Sequence, residues 1–200
     1  MALLVEIVRG FRMGLPIISP SLAFRVERDM NTKGYSLVDT SEFLVGKEWP
    51  DQRSKTFRIL KSKDSGFYLS LNECCADWIV ELVKWQGRLL KKALTRECFH
   101  IGYNHLSLRN ERFKYNRKDE TCRWHTDGPY LRSLCVVKGE TTLIMTDLGK
   151  SHVPLGWTVF ITGNRRHNIL PKIPPTLHCR PKSGALRRII VNGWVYGYDS

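Results

Sequence analysis

The sequence predicts a mainly β domain, an antiparallel sandwich or jelly roll with a helix covering one sheet. Three observations support this fold class. Short segments rich in β-branched and aromatic residues follow one another closely after residue 98, turn residues separate them, and one long stretch before them has the period of an amphipathic helix. In such a fold the chain folds back on itself, so residues at the ends of distant strands meet at one mouth.

The helix is predicted over residues 72–94. Its apolar residues recur at helical spacing, and most of its charged residues fall on the other side. Asn72 is a suitable N-cap, and Lys91 and Lys92 lie near the negative end of the helix dipole. We expect this helix to pack on a sheet.

Alternating or apolar runs predict the strands. Before the helix they cover residues 22–26, 35–38 and 55–60, and after it residues 99–108, 130–137, 141–146, 157–162, 177–179 and 187–196. Polar, glycine-rich or proline-rich stretches predict turns and loops over residues 110–120, 147–151 and 163–175.

The length of 200 residues suits a single domain. We expect an N-terminal α/β support region over residues 1–98 and a jelly-roll core over residues 99–200. The net charge of +13 indicates an anionic partner, such as nucleic acid, an acidic surface or a small molecule with a carboxylate or phosphate. A basic surface that is merely solvated explains the charge equally well.

The six cysteines show neither a CxxC pair nor the spacing of a zinc finger. We therefore expect reduced, mostly buried thiols in a cytoplasmic protein. Residues 1–8 are apolar, but the run is short and contains Glu6. It predicts neither a signal peptide nor a membrane span.

The pair His125 and Asp127 is the candidate metal-binding motif. Residues i and i+2 of an extended segment point to the same side, so an imidazole and a carboxylate could reach one point. A second histidine, later in the chain, would complete two histidines and one carboxylate, which leave open positions on Fe(II). The alternative is a turn at Asp127-Gly128-Pro129, in which His125 is only a hydrogen-bonded neighbour.

The order of motifs over roughly residues 99–196 resembles the Fe(II)- and 2-oxoglutarate-dependent dioxygenases. That family's pattern is His-x-Asp, a Pro-x-Gly lead into an apolar strand, a distal histidine and, about ten residues later, an arginine. The matching residues here are His125-Thr126-Asp127, Pro154-Leu155-Gly156, His178 and the pair Arg187-Arg188. The resemblance implies a double-stranded β-helix, a cupin-like jelly roll, covered by N-terminal helices.

The resemblance also implies the third metal ligand beside His125 and Asp127. Arginines stand nine and ten residues after His178, whereas the same positions after His167 hold residues that cannot bind an anion. The family pattern therefore favours His178 over His167.

In the resembling family, the arginine pairs with the far carboxylate of 2-oxoglutarate, which is costly to bury unless paired. Arg187 and Arg188 are neighbours on a strand, so only one can face the site. The ten-residue spacing favours Arg188, with Arg187 as the alternative and a surface salt bridge as the other explanation of Arg188. Further candidate contacts of the co-substrate lie on the flanking strands: Tyr103, Asn104 and Ser107 before the motif, and Tyr130, Arg132 and Leu134 after it.

The activity implied by the resemblance is oxidation that consumes O2 and 2-oxoglutarate and produces hydroxylation, desaturation or cyclisation. The compact chain favours a small-molecule substrate, such as an amino acid or a natural-product intermediate. An anionic substrate is one form of this hypothesis. Asp127 argues against a halogenase, which leaves that ligand position open for chloride. No membrane partner is expected.

Three alternatives stay open. A nucleic-acid dioxygenase of the same superfamily fits the basic charge, although its arginines spaced six apart after the distal histidine are missing. A cupin-type metal protein would not use 2-oxoglutarate. A binding domain without enzymatic activity would need His125 and Asp127 only as structural residues.

Overall fold

The structure is a computed structural model. It describes residues 14–50, 67–69, 76–94, 99–112, 123–127, 131–163, 175–180 and 186–198. Several sequence predictions lie outside these residues: the apolar start of the chain, the strand over residues 55–60, the N-cap Asn72 and most of the loop over residues 163–175.

The described residues form helices and strands in the following order. They are α1 (Pro20–Lys33), β1 (Tyr35–Asp39), α2 (Ser41–Leu44), β2 (Phe67–Leu69), α3 (Asp77–Leu94), β3 (Phe99–Arg112), β4 (Leu131–Lys138), β5 (Leu143–Thr146), β6 (Gly149–His152), β7 (Trp157–Ile161), β8 (His178–Cys179) and β9 (Leu186–Tyr198).

The strands make two antiparallel sheets, which confirms the predicted mainly β, jelly-roll class. The major sheet has the order β1-β7-β4-β9-β3-β2, and the minor sheet has the order β6-β5-β8. Both edge strands of the major sheet, β1 and β2, come from before residue 99. The N-terminal part therefore contributes strands to the same sheet as the rest of the chain.

The strand predicted over residues 22–26 is wrong, because this stretch lies inside α1. The Ser19 hydroxyl accepts the backbone N–H of Leu22 at 3.1 Å, and a proline occupies the first helical position. Both are strong helix-start signals. The buried residues of α1 then recur at helical spacing, as Ala23, Val26 and Met30.

Two predicted turns are partly strand. β3 continues to Arg112, because it stays paired with β9 up to the partner Leu186. β6 occupies most of the turn predicted over residues 147–151 and pairs with β5 as a hairpin. Its exposed, polar sequence is compatible with an edge strand, which needs hydrogen bonds on one side only. The other predicted strands that fall on described residues are present within a few residues of their expected ends.

The predicted long helix, α3, packs on one face of the major sheet as expected. Its buried side chains share a core with α1 and with sheet residues that include Leu131, Phe160 and Ile190. Gly87 allows a close approach to the sheet, since a Cβ there would lie 2.9 Å from the Trp194 ring. None of the described helices combines the length and apolar character that a bilayer crossing requires.

A buried polar network joins α3 to this face of the sheet. The side-chain oxygen of Gln86 accepts hydrogen bonds from the Ser133 hydroxyl at 2.8 Å and from the Asn192 amide, and its amide donates to Thr158 at 3.3 Å. The Trp194 indole donates to the Ser133 hydroxyl at 3.1 Å. Because buried polar groups are costly when unpaired, this network fixes how the helix sits on the sheet.

A second core fills the space between the two sheets. It contains buried side chains of β4, β5, β7 and β9, among them Leu134, Ile144, Val159, Ile189 and Val191. Along β9, therefore, Ile189 and Val191 face the minor sheet, while Ile190 and Trp194 face the helices. This alternation decides which side chains reach the space between the sheets.

The two cysteines on described residues, Cys135 and Cys179, are buried, as expected, and neither takes part in a disulfide. Burial raises the pKa of the Cys135 thiol to about 12. The other four cysteines lie outside the described residues.

Candidate active site

Three side chains from two distant segments of the chain converge at the edge of the minor sheet. One nitrogen each from His125 and His178 and one carboxylate oxygen from Asp127 all lie within 4.8 Å of one another. Among the described residues, this is the group of histidine, cysteine and acidic side chains that could hold a metal ion.

The backbone itself brings the two histidines together. The N–H of His125 donates to the carbonyl of His178 at 3.1 Å, and the N–H of His178 donates to the carbonyl of His125 at 2.9 Å. Their ring centroids are 4.4 Å apart. Since β8 also pairs with β5, the His-x-Asp segment continues the minor sheet by one bridge, and Asp127 follows two residues later.

Both imidazoles are held in the form that a metal ligand needs. Nδ1 of His125 lies 2.8 Å from the carbonyl of Arg123, and Nδ1 of His178 lies 3.2 Å from the carbonyl of Thr176. A carbonyl only accepts, so each Nδ1 carries the hydrogen and donates it. The Nε2 lone pairs are then available for a metal ion.

The electrostatics of His178 favour the neutral ring. Burial lowers the pKa of His178 below its ordinary value, and this effect outweighs the Asp127 carboxylate, which raises that pKa. Metal binding requires a deprotonated ligand nitrogen, so the lowered pKa keeps the ring ready to bind.

The spacing of the ligand atoms also fits a metal ion. Asp127 Oδ2 lies 3.5 Å from His178 Nε2. Adjacent ligands of an octahedral ion with bonds of about 2.1 Å are about 3 Å apart, so this pair needs only a small adjustment, while the His125 nitrogen lies within 4.8 Å of both atoms. Asp127 Oδ2 also lies 3.3 Å from Nε of Arg132, which holds the carboxylate from the sheet side.

A cavity of about 80 Å³ adjoins the three residues and extends between the two sheets. Its inner wall contains Arg187, which is 8% exposed, together with Ile189 and Val191 of the same strand face. Thr142 lines it too, and within the described residues its buried hydroxyl has no hydrogen-bond partner. The cavity thus combines a metal-binding group with a buried cation and a hydroxyl.

The two neighbouring arginines lie on opposite faces of β9. Arg187 lines the cavity beside the histidines, whereas the guanidinium of Arg188 lies 5.9 Å from the Trp49 ring centre, on the helix side of the sheet. The ten-residue spacing favoured Arg188, but strand alternation places Arg187 in the cavity.

Other sequence candidates are placed as follows. Arg132 lines the cavity, as one of the flanking candidates. Tyr103 lies on β3 opposite Trp194 of β9, and its side chain is outside the described part of the structure. His167 also lies outside the described residues. Thr142 was not expected, because nothing in its local sequence distinguishes it from the other threonines before β5.

The sequence matches no family model and no curated protein, but its fold is similar to that of several solved structures. One is a prolyl hydroxylase from Trichoplax adhaerens in complex with a hypoxia inducible factor peptide fragment. It is 13% identical, with a TM-score of 0.56 over 88% of this chain and 89% of that one.

Two further structures are similar at the same level. The epimerase SnoN, in complex with Fe³⁺, alpha ketoglutarate and nogalamycin RO, is 10% identical, with a TM-score of 0.52 over 91% of this chain and 88% of that one. The rice dioxygenase for auxin oxidation is 11% identical, with a TM-score of 0.52 over 87% of this chain and 77% of that one. At such identities the similarity shows the fold.

Proposed function

We propose that this chain is an Fe(II)- and 2-oxoglutarate-dependent oxygenase that oxidises a small-molecule substrate. The observation that carries the proposal is the convergence of His125, Asp127 and His178 beside a cavity with a buried arginine. The same fold in SnoN holds Fe³⁺ and alpha ketoglutarate, which supports this choice of metal and co-substrate.

His125, Asp127 and His178 would hold the metal. Two neutral imidazoles and one carboxylate are a donor set suited to Fe(II), and they leave positions open for further ligands. Bound iron would supply, with 2-oxoglutarate and O2, the oxidising power needed to attack an unreactive C–H bond. The chain contributes the orientation of the ligands, through the backbone bridge and the Nδ1 hydrogen bonds.

Arg187 is the residue to which we assign the far carboxylate of 2-oxoglutarate, in place of Arg188. A guanidinium can pair with a carboxylate through two parallel hydrogen bonds, which offsets the cost of burying that charge. Thr142 is suited to donate a further hydrogen bond from its buried hydroxyl. Because Arg187 is more buried than Asp127, whose side chain is 21% exposed, the co-substrate would lie with its far end inward.

Arg132 acts as a positioning residue in this proposal. Its contact with Asp127 Oδ2 limits the rotation of the carboxylate, so that the ligand oxygens stay directed at the metal position.

The more open side of the cavity is where a substrate would enter. Arg132 and Arg180 are both partly exposed there, and both are cationic. Because Arg132 is paired with Asp127, it is the Arg180 guanidinium, together with the basic charge of the whole chain, that favours a small anionic substrate.

The test is succinate formation from 2-oxoglutarate by protein loaded with iron under anaerobic conditions and then exposed to O2. We expect slow turnover without substrate in the wild type and none in His178→Ala. The matched control is His152→Ala, which removes an exposed histidine of β6 and should leave turnover unchanged. His167→Ala tests the other distal histidine.

The outcomes separate the alternatives. Iron uptake without succinate formation in the wild type would indicate a cupin-type metal protein. No iron uptake would favour the interpretation as a binding domain without enzymatic activity. Loss of turnover in His167→Ala but not in His178→Ala would contradict the ligand assignment.

A further inference from the structure

A second cavity, of about 430 Å³, lies on the helix side of the major sheet, and none of the described residues that line it also lines the first. Its walls combine apolar, aromatic and charged side chains: Leu44, Lys47, Glu48, Trp49, Val137, Lys138 and Arg188. Among the described lining residues, three cations thus face one carboxylate, which leaves a surplus of positive charge. Nothing in the proposed oxygenase reaction uses this cavity.

Two of the cations are direct neighbours across the sheet. Lys138 of β4 is paired with Arg188 of β9, so two like charges stand opposite each other on neighbouring strands. Such pairs are destabilising in the absence of a counter-charge. Within the described residues, no carboxylate lies at ion-pair distance from either side chain. The arrangement is therefore suited to an anion that lies between them.

Two buried hydrogen-bond donors at this cavity lack acceptors. Trp49 Nε1 and Arg188 Nε are buried and have no hydrogen-bond partner within the described part of the chain. The Trp49 segment is itself fixed, because the indole of Trp78 on α3 donates to the carbonyl of Glu48 at 3.1 Å. Buried donors are nearly always paired in folded proteins. Both atoms are closed to water in this arrangement, and a ligand that entered beside them would supply the missing acceptors after a small side-chain movement.

We propose that this cavity binds the phosphate group of a small phosphorylated molecule, whose organic part packs against Trp49. A phosphate dianion matches the surplus of two positive charges and offers oxygens to several donors at once. A single carboxylate would neutralise only half of that surplus. The volume lies within the range of roughly 300–1,000 Å³ that is usual for small-molecule sites, so an organic part has room beside the phosphate.

The test is calorimetric titration of the full chain with phenyl phosphate and with inorganic phosphate, at constant ionic strength. We expect phenyl phosphate to bind more tightly, and Arg188→Gln to weaken its binding by roughly tenfold or more. Trp49→Phe, which keeps an aromatic ring but removes the indole N–H, should weaken binding severalfold. Lys138→Gln, at an exposed position, provides the same test with little risk to folding.

Arg88→Gln and Lys84→Gln are the matched controls, because they remove the same charges from the exposed side of α3. We expect both to bind phenyl phosphate as the wild type does. Three results would overturn the proposal: no binding by the wild type, equal weakening by the controls, or binding that is lost in Arg187→Gln and kept in Arg188→Gln. The last result would place the anion in the cavity of the histidines.

Discussion

The two faces of the major sheet differ in how closely their side chains are packed. The face under the helices is closely packed, with Ile190 and Phe160 fully buried and its central polar groups joined in the Gln86 network. The face toward the minor sheet has its own apolar core, but leaves a cavity beside Arg187. The centre of the helix face therefore mainly provides stability, and the cavity on that face lies beside Arg188, where β4 ends. The other face gives up some packing beside Arg187, next to the three candidate metal ligands.

The largest expected effect is on the free energy of unfolding, and it compares substitutions of two neighbouring isoleucines on β9. Ile190→Ala should lower the free energy of unfolding by about 3–4 kcal/mol, because it leaves a hole in a closed core. Ile189→Ala should cost about half as much, since Ile189 borders a cavity that water can enter. Chemical denaturation measures both, and equal losses would contradict the comparison.

Gln86→Met should cause the next largest loss in the free energy of unfolding. The substitution keeps the approximate shape of the side chain, but leaves the Ser133 hydroxyl and the Asn192 amide without their acceptor on α3. We expect a loss of about 3 kcal/mol from two weakened buried donors. Lys84→Met, at an exposed position of the same helix, is the control and should change stability little. A small loss in Gln86→Met would mean that the network contributes little to holding the helix.

The third prediction concerns the arginine pair and the co-substrate. Arg187→Gln should raise the KM for 2-oxoglutarate about thirtyfold, the equivalent of about 2 kcal/mol for a lost charge-assisted contact. Arg188→Gln, one residue away on the other face, should leave that KM unchanged. Steady-state succinate formation provides the measurement. The reverse result would restore the assignment favoured by sequence spacing alone.

The smallest expected effect concerns the two described cysteines: Cys135 lies on the helix side of the major sheet, and Cys179 lies on β8 of the minor sheet. Cys135 is fully buried under the helices, and the raised pKa of its thiol leaves almost no thiolate near neutral pH. Cys179 is also buried but lines the cavity of the histidines. Mass spectrometry after brief alkylation should find Cys179 labelled before Cys135. Faster labelling of Cys135 would show that the helix layer opens more readily than the cavity side.

The sequence predicted the convergence of the three candidate ligands better than it predicted which side chains of β9 face them. The motif order selected His125, Asp127 and His178, and the structure brings these three together. Spacing could not decide between Arg187 and Arg188, because which of two neighbours faces inward depends on the register of β9 against β4 and β3. That register is set by long-range pairing, which a local pattern does not contain.

The N-terminal helix shows a different limit. The apolar residues of 22–26 were interpreted as a short strand, since a run of five residues fits either period. The deciding information lay in the flanks, where Ser19 and the following proline start α1 and Gly34 ends it with a positive φ. The division of the chain at residue 98 stays a prediction.

The backbone bridge between His125 and His178 has a consequence for the stability of the segment between them. These residues are roughly fifty positions apart in the chain, and each is also a proposed metal ligand. A bound ion would therefore act as a reversible crosslink that closes a long loop. While the ion stays bound, it holds the two ends of this loop together, so the chain gains less conformational entropy when the segment between them opens. The segment between the two histidines, which includes β4 to β7, would then open less often when the metal is bound.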